Sequence, residues 1–222
     1  MPGAIILEYP DVFLLGLWLT IQISIGGLLG AILLGVVIAL FRTAPIAPLR
    51  WLGASYVEFF RNTPLLVQLF FLFFGLPFLG IRLSDDTFVT IFRAAVLGMA
   101  LYHGAYMAEV IRGGLLGVEK GQVEAARSIG LSYLQMLRYV QVPQAVRAVI
   151  PPLGNIAIAL VKNTSLAATI GVAELLFAAE FIESRTFRAA EAFLASAMLY
   201  LVLTIPLGIF VNYLERRMLV LR

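Results

Sequence analysis

Val12–Phe41 reads VFLLGLWLTIQISIGGLLGAILLGVVIALF, a run without one charged residue. A helix needs about 20 mostly apolar residues to cross a hydrocarbon core of roughly 30 Å. This run is longer, so it reads as a span that is tilted or that begins in the interface. The composition agrees. Of the 222 residues, 61% are hydrophobic and 13% charged, where a soluble domain has roughly 45–50% and about 25%. Mean hydropathy is +0.97. A soluble enzyme, a disordered tail and a nucleic-acid binder are excluded on that ground. The net charge of +3 arises from 16 basic and 13 acidic residues, with no long basic run, so the basic residues are read as setting orientation in a bilayer. Cysteine is absent, which removes disulfides, thiolate metal sites and cysteine nucleophiles. Residues Met1–Asp11 contain no Lys or Arg, and no signal peptide is expected there.

Working outward, further apolar stretches predict spans over residues 62–81, 88–108, 145–161 and 192–214, beside 12–41. Thr164–Ala179 is apolar but short, and it contains Glu174. Charge decides the parity. Most of the basic residues lie in 42–61, 109–147 and 215–222, and few in 1–11, 82–93 and 180–191. The positive-inside rule makes the first set cytoplasmic. The expectation is an all-α membrane protein with five transmembrane helices, N-terminus outside and C-terminus inside, forming one domain over 1–222. Thr164–Ala179 then becomes a re-entrant or outer-leaflet helix packed against the others. Gly26 and Gly30, with Ser24, Gly27 and Gly35 nearby, let backbones approach closely. Packing within the chain is the expected use, a subunit interface the alternative.

The segment 109–147 is too polar for lipid and too apolar for a loose linker. Val123, Ala126, Gly130, Leu134 and Leu137 recur at helical spacing. Gly130 suits a left-handed helix end, Ser132 and Gln135 have the form of a capping box, and Pro143 limits how far the second helix continues unbroken. The segment reads as helix, glycine turn, helix. A plain surface hairpin linking two spans is the alternative to a docking element.

Glu124-Ala125-Ala126, then Gly130, then Val140-Gln141-Val142-Pro143 resembles the signature loop of ABC-importer permeases, E-A-A-x3-G-x9-I-x-L-P. The spacing matches, with Val140 and Val142 for Ile and Leu. Further resemblance to the polar amino-acid branch, the histidine/glutamine/arginine permeases, lies in Glu58-Phe59-Phe60-Arg61-Asn62-Thr63-Pro64-Leu65-Leu66-Val67-Gln68, Val161-Lys162-Asn163-Thr164-Ser165-Leu166, Gly171-Val172-Ala173-Glu174-Leu175 and Tyr213-Leu214-Glu215-Arg216-Arg217. Many relatives carry Asp where this chain has Asn163. The resemblance implies a permease subunit of an ATP-driven importer of polar or charged amino acids in the bacterial cytoplasmic (inner) membrane. It implies a cytoplasmic ABC ATPase dimer, a second permease subunit, identical or not, and an extracytoplasmic substrate-binding protein as partners. It assigns ATPase coupling to Glu124, Ala125, Ala126, Arg127, Gly130 and Pro143. No cofactor is expected in the chain itself, because ATP is bound by the partner ATPase and no G-x-x-x-x-G-K-[ST] loop is present.

Ionisable residues at membrane depth are functional candidates. Lys162, Asn163, Thr164, Ser165 and Glu174 are the candidate substrate-lining residues, with Glu174 a possible partner for Lys162 if the chain bends. The alternative is that Lys162 snorkels and the tetrad only caps a helix. His103 is expected to be a buried histidine with a satisfied hydrogen bond, Glu109–Arg112 a surface pair, Asp85-Asp86 a solvated turn, and Glu58 and Arg61 a cytoplasmic anchor. An ion-coupled secondary transporter or channel is the competing function; it asks for charge relays or internal symmetry. An intramembrane enzyme is disfavoured, since H-E-x-x-H and G-x-S-x-G are both absent.

Overall fold

The computed structural model describes residues 2–219, and every regular element among the described residues is helical. The order is α1 (Pro2–Glu8), α2 (Pro10–Thr43), α3 (Ala47–Asn62), α4 (Leu65–Phe70), a π turn (Phe71–Gly75), α5 (Leu76–Phe78), α6 (Thr87–Leu116), α7 (Lys120–Ser128), α8 (Tyr133–Met136), a second π turn (Leu137–Gln141), α9 (Val142–Asn163), a 3-10 stretch (Thr164–Ile170), α10 (Leu175–Thr186) and α11 (Ala189–Leu219). Among the described residues four helical stretches are long and apolar enough to cross a membrane: Pro10–Thr43, Thr87–Leu116, Tyr133–Ile170 and Ala189–Met218. A fifth passes only as a pair, α3 with α4–α5, bent by 104°.

The contact α2 makes with α6 organises the rest. A Cβ on Gly27 would lie 2.7 Å from the Met99 Cβ, one on Gly30 2.7 Å from the Ala100 Cβ, and one on Gly35 2.7 Å from the Met107 Cβ. The glycine stripe of α2 is therefore spent inside the chain, on a helix–helix approach that any side chain would force apart. The numbers in these pairs rise together, so α2 and α6 run parallel. The chain between them has to return to its starting end, and α3 to α5 make that return: Gly53 lies against Ile38 and Arg42 near the end of α2, Leu69 and Leu72 lie against Gly98, and the Ser84 carbonyl accepts from Thr90 Oγ1 near the start of α6. α9 runs antiparallel to α6, with Gly114 against Val149 and Asn163 beside His103. α11 runs antiparallel to α9, with Gly154 against Val211. Thr43, Leu116, Val142 and the last described turn of α11 thus share one end, and Pro10, Thr87, Ile170 and Ala189 share the other.

Several boundaries differ from the sequence expectation. Residues 47–62, expected within a loop, form α3, because Gly53 and Val57 supply an apolar edge for the bundle while Arg50, Glu58 and Arg61 had masked it. The predicted span 62–81 is interrupted at Thr63 and Pro64, both extended; at Thr63 this is what proline imposes on its predecessor. α6 runs on to Leu116, so the connection to α9 is shorter than 109–147. Thr164–Ala179 is not one helix: the 3-10 stretch prolongs α9, Gly171 breaks it at φ 91°, and α10 starts afresh after Glu174. Residues 2–8, which the charge argument places on the outer side, form α1, with Ile5 fully buried against α10 and α11. Met1 and Arg222, counted in the charge argument, lie outside the described residues.

Pro77 and Pro143 each follow a π turn by two positions. In an α-helix a proline ring collides with the carbonyl four residues earlier, here Phe73 and Tyr139, each the middle residue of its π turn. The widened turn removes the collision without ending the helix. Pro143 was expected to limit the helix beginning at Tyr133; instead the chain stays helical through Ile170.

Packing falls into two apolar clusters. One joins α2, α4, α6 and α9 around Ile23, Leu69, Met99 and Leu160. The other joins α1, α2, α10 and α11 around Ile5, Phe13, Leu175 and Ile182. The outward faces of α2 and α11 carry exposed Leu14, Trp18, Leu29, Leu33, Leu201, Ile205 and Ile209, surface that suits lipid or another membrane subunit.

Candidate functional site: an exposed helical hairpin and a buried polar layer

The first region is the hairpin of α7 and α8. Gly130 stands between them at φ 81°, the left-handed turn expected there, and a Cβ on it would meet nothing within 4 Å. Backbone conformation alone therefore demands the glycine. Ser132 and Gln135 form the reciprocal capping box that starts α8. In α7 only Ala126 is buried; Glu124, Ala125 and Arg127 are exposed. Three side chains fasten the hairpin to the bundle. Tyr133 Oη donates to the Thr43 carbonyl at 3.0 Å, Gln141 Nε2 to the Leu115 carbonyl at 3.3 Å, and Gln144 Nε2 to Gln122 Oε1. Between α7 and α8 lies a groove of about 360 Å³, lined by Lys120, Val123, Glu124, Arg127 and Tyr133 among others. Pro143 is exposed but sits past the hairpin, in the first turn of α9.

At the same end an ion cluster ties three helices. Glu109 of α6 takes Arg42 of α2 on one carboxylate oxygen and Arg112 on both, the second at 2.9 Å. Arg61 of α3 stacks over the Tyr106 ring, 5.1 Å from its centroid. The expected local Glu109–Arg112 pair is present. Arg42, 67 positions away from Glu109, could not be read from helical spacing.

The second region is the polar layer around α10. Glu174 is fully buried. One of its carboxylate oxygens accepts from the backbone N–H groups of Leu176 (2.7 Å) and Phe177 (3.0 Å), capping α10. The other accepts from Tyr200 Oη of α11. Thr20 Oγ1 of α2 accepts from Leu175 N at 3.3 Å, Ser196 Oγ donates to the Leu175 carbonyl at 2.9 Å, and Tyr200 also lies within hydrogen-bond reach of Thr164 and Thr20. The carboxylate thus joins α10 to α11, and the hydroxyls of Thr20, Ser196 and Tyr200 around it extend the polar layer to α2 and the 3-10 stretch. Lys162, its suggested partner, is exposed on the other side of the break and does not reach it.

Asn163 is half-buried, and its Nδ2 lies 3.1 Å from His103 Nε2. His103 is buried, with Nδ1 3.0 Å from the Met99 carbonyl. The ring meets Tyr102 edge-on at 5.1 Å, and Tyr102 and Tyr106 share a hydrogen bond of 3.2 Å. Of the five tetrad and glutamate candidates, then, Thr164 and Glu174 meet at Tyr200, Asn163 meets His103, and Lys162 and Ser165 stand apart. The residues missed from sequence are Thr20 and Tyr200, whose hydroxyls carry no distinguishing local pattern. Asp86, expected in a solvated turn, caps α6 by accepting from Val89 N at 2.9 Å. No cluster of metal-ligating side chains occurs among the described residues.

Comparison with known proteins follows the same lines. The profile of the binding-protein-dependent transport system inner membrane component matches residues 14–220. The probable glutamine ABC transporter permease protein GlnM of Bacillus subtilis (strain 168) is 41% identical over 218 residues, 98% of each chain. The glutamine transport system permease protein GlnP of Escherichia coli (strain K12) is 38% identical, over 93% of this chain and 92% of its own. A chain from the crystal structure of an amino acid ABC transporter with histidines superposes with a TM-score of 0.87 at 35% identity, covering 96% of both. A chain of the inward-facing MetNI methionine ABC transporter shares the fold, with a TM-score of 0.73 at 19% identity, over 95% and 98%. Motif, helix order and comparison together make this chain a member of the family of binding-protein-dependent transport system inner membrane components, the membrane-spanning permease subunits of ABC transporters.

Proposed function

We propose that the chain is the permease subunit of an ATP-driven importer of polar amino acids, with glutamine the first substrate to test. The hairpin carries this reading. Its E-A-A helix is exposed along Glu124, Ala125 and Arg127 yet fastened through Tyr133, Gln141 and Gln144 to the ends of α2, α6 and α9, so a push on α7 from outside is delivered to the spans. Two closing ATPase subunits would supply that push, one to each of two paired permeases.

Five crossings serve this reading, with the bent α3–α5 pair as the second. The end that bears the hairpin also bears Arg42, Arg50, Arg61, Arg112, Arg138, Arg147 and Arg216, which makes it the cytoplasmic end by the positive-inside rule. The N-terminus then faces the outside, where a substrate-binding protein delivers the amino acid, and the chain resides in the bacterial cytoplasmic membrane. Asn163, Ser165 and Lys162, at the end of α9 and the start of the 3-10 stretch, line the path in this reading. Thr164 and Glu174 shape it from behind.

The test is uptake into liposomes holding this chain, its ATPase and internal ATP, with the binding protein and radiolabelled glutamine, glutamate, arginine and histidine outside. Accumulation that requires ATP and is lost in Glu124→Lys supports the importer. Accumulation that ignores ATP and follows an ion gradient overturns it in favour of a secondary transporter.

A further inference from the structure

His103 is the single histidine of the chain, buried in α6 and unused by the coupling argument. Its Nδ1 faces the Met99 carbonyl oxygen at 3.0 Å. A carbonyl oxygen only accepts, so Nδ1 carries the proton, and in the neutral ring Nε2 is left as an acceptor. The group facing Nε2 at 3.1 Å is the Asn163 side-chain amide. An acceptor selects the NH2 half of that amide, which turns the carbonyl oxygen, Oδ1, away from His103. Asn163 is half-buried, and among the described residues no donor is bonded to its Oδ1. At this depth lipid cannot satisfy a bare carbonyl. Tyr102 and Tyr106, also half-buried, extend the polar strip along α6.

We propose that His103 is a positioning residue: by fixing its own tautomer on Met99 it fixes the Asn163 amide, so that Oδ1 is presented to accept a hydrogen bond from the α-ammonium of the transported amino acid. The proposal rests on the importer reading for the identity of the donor, but the tautomer and the amide orientation do not depend on it.

The experiment has two arms on the chain assembled with its ATPase. In the first, the histidine is 15N-labelled and the complex is placed in lipid bilayers for solid-state NMR. With the label in this chain alone, which has one histidine, the spectrum is a single ring. The expected result is a protonated Nδ1 and an unprotonated, hydrogen-bonded Nε2 whose resonance moves in Asn163→Leu while Nδ1 stays. A protonated Nε2 overturns the proposal. In the second arm, uptake kinetics are measured for whichever of glutamine, glutamate, arginine and histidine the wild type accumulates. His103→Leu raises KM on the order of tenfold or more, the loss of one charge-assisted hydrogen bond, with kcat little changed. His103→Gln, which keeps an acceptor oxygen near the place of Nε2, restores most of the loss. In an Asn163→Leu background His103→Leu adds nothing. Equal losses in both backgrounds, or a fall in kcat alone, overturn the positioning role. Wild-type complex that accumulates no amino acid with ATP sinks the importer reading instead, and the NMR arm still decides the histidine–asparagine contact.

Discussion

Replacing Glu174 by alanine removes the carboxylate that caps α10 and accepts from Tyr200 of α11. Two backbone N–H groups at the start of α10 lose their cap, at about 0.5–2 kcal/mol. The Tyr200 hydroxyl loses its acceptor in the interior, at about 1–3 kcal/mol, toward the low end because Thr20 and Thr164 remain within reach. The expected sum is about 2–4 kcal/mol. For a chain of this length each kcal/mol lowers Tm by about 2–4 °C, so Glu174→Ala melts roughly 5–15 °C below wild type. The measurement is thermal unfolding of the detergent-solubilised complex at fixed protein and lipid concentration. Glu174→Gln keeps an oxygen for the two N–H groups and falls between. Tyr200→Phe separates the contributions: in a double-mutant cycle with Glu174→Ala, the shared hydrogen bond appears as a coupling of about 1–2 kcal/mol. Tm within a degree or so of wild type for Glu174→Ala, or strict additivity with Tyr200→Phe, would refute the assignment of Glu174 as the keystone of this layer.

Other sites give sharper contrasts. Gly130→Ala meets no neighbour and is penalised only by its left-handed backbone, about 1–2 kcal/mol; Gly130→Asn is milder, and in both, uptake and ATP hydrolysis by the reconstituted complex fall while α6 and α9 keep their stability. Gly114→Val fails for the opposite reason, since any side chain there collides with Val149; expression of folded protein, followed by size-exclusion chromatography, collapses, whereas Gly113→Ala, in open space, is tolerated. In the ion cluster, a cycle on Arg42 and Glu109 yields a coupling of about 1 kcal/mol that shrinks with salt. It exceeds that of the Arg112–Glu109 pair, because only the former joins two helices; equal couplings would contradict this.

The membrane class, the long spans and the hairpin were legible because their signals are local. An uncharged run of membrane length has one stable solution in lipid, and the E-A-A spacing, Gly130 and the Ser132/Gln135 box act within a few residues of one another. α3 was not legible, since its burial is a narrow stripe of Gly53 and Val57 that only a neighbouring α2 can cover. The two π turns were also hidden. A proline shows where an ordinary helix will be strained, but whether the chain breaks, as at Pro64, or widens, as before Pro77 and Pro143, depends on whether packing holds the two halves in line.

By itself, then, the sequence determined that the chain is helical, lies in a membrane and carries an exposed hairpin of one transporter family, because hydrophobic length, helix caps and a left-handed glycine are properties of contiguous residues. Only the tertiary structure decided which polar groups at membrane depth satisfy one another. Lys162 and Glu174 were close in sequence and stay apart. Glu174 and Tyr200, 26 positions apart, meet, as do His103 and Asn163, 60 positions apart. The reason is physical: a buried donor or acceptor must find a partner wherever packing brings one within about 3 Å, and the parallel contact of α2 with α6 sets where that is.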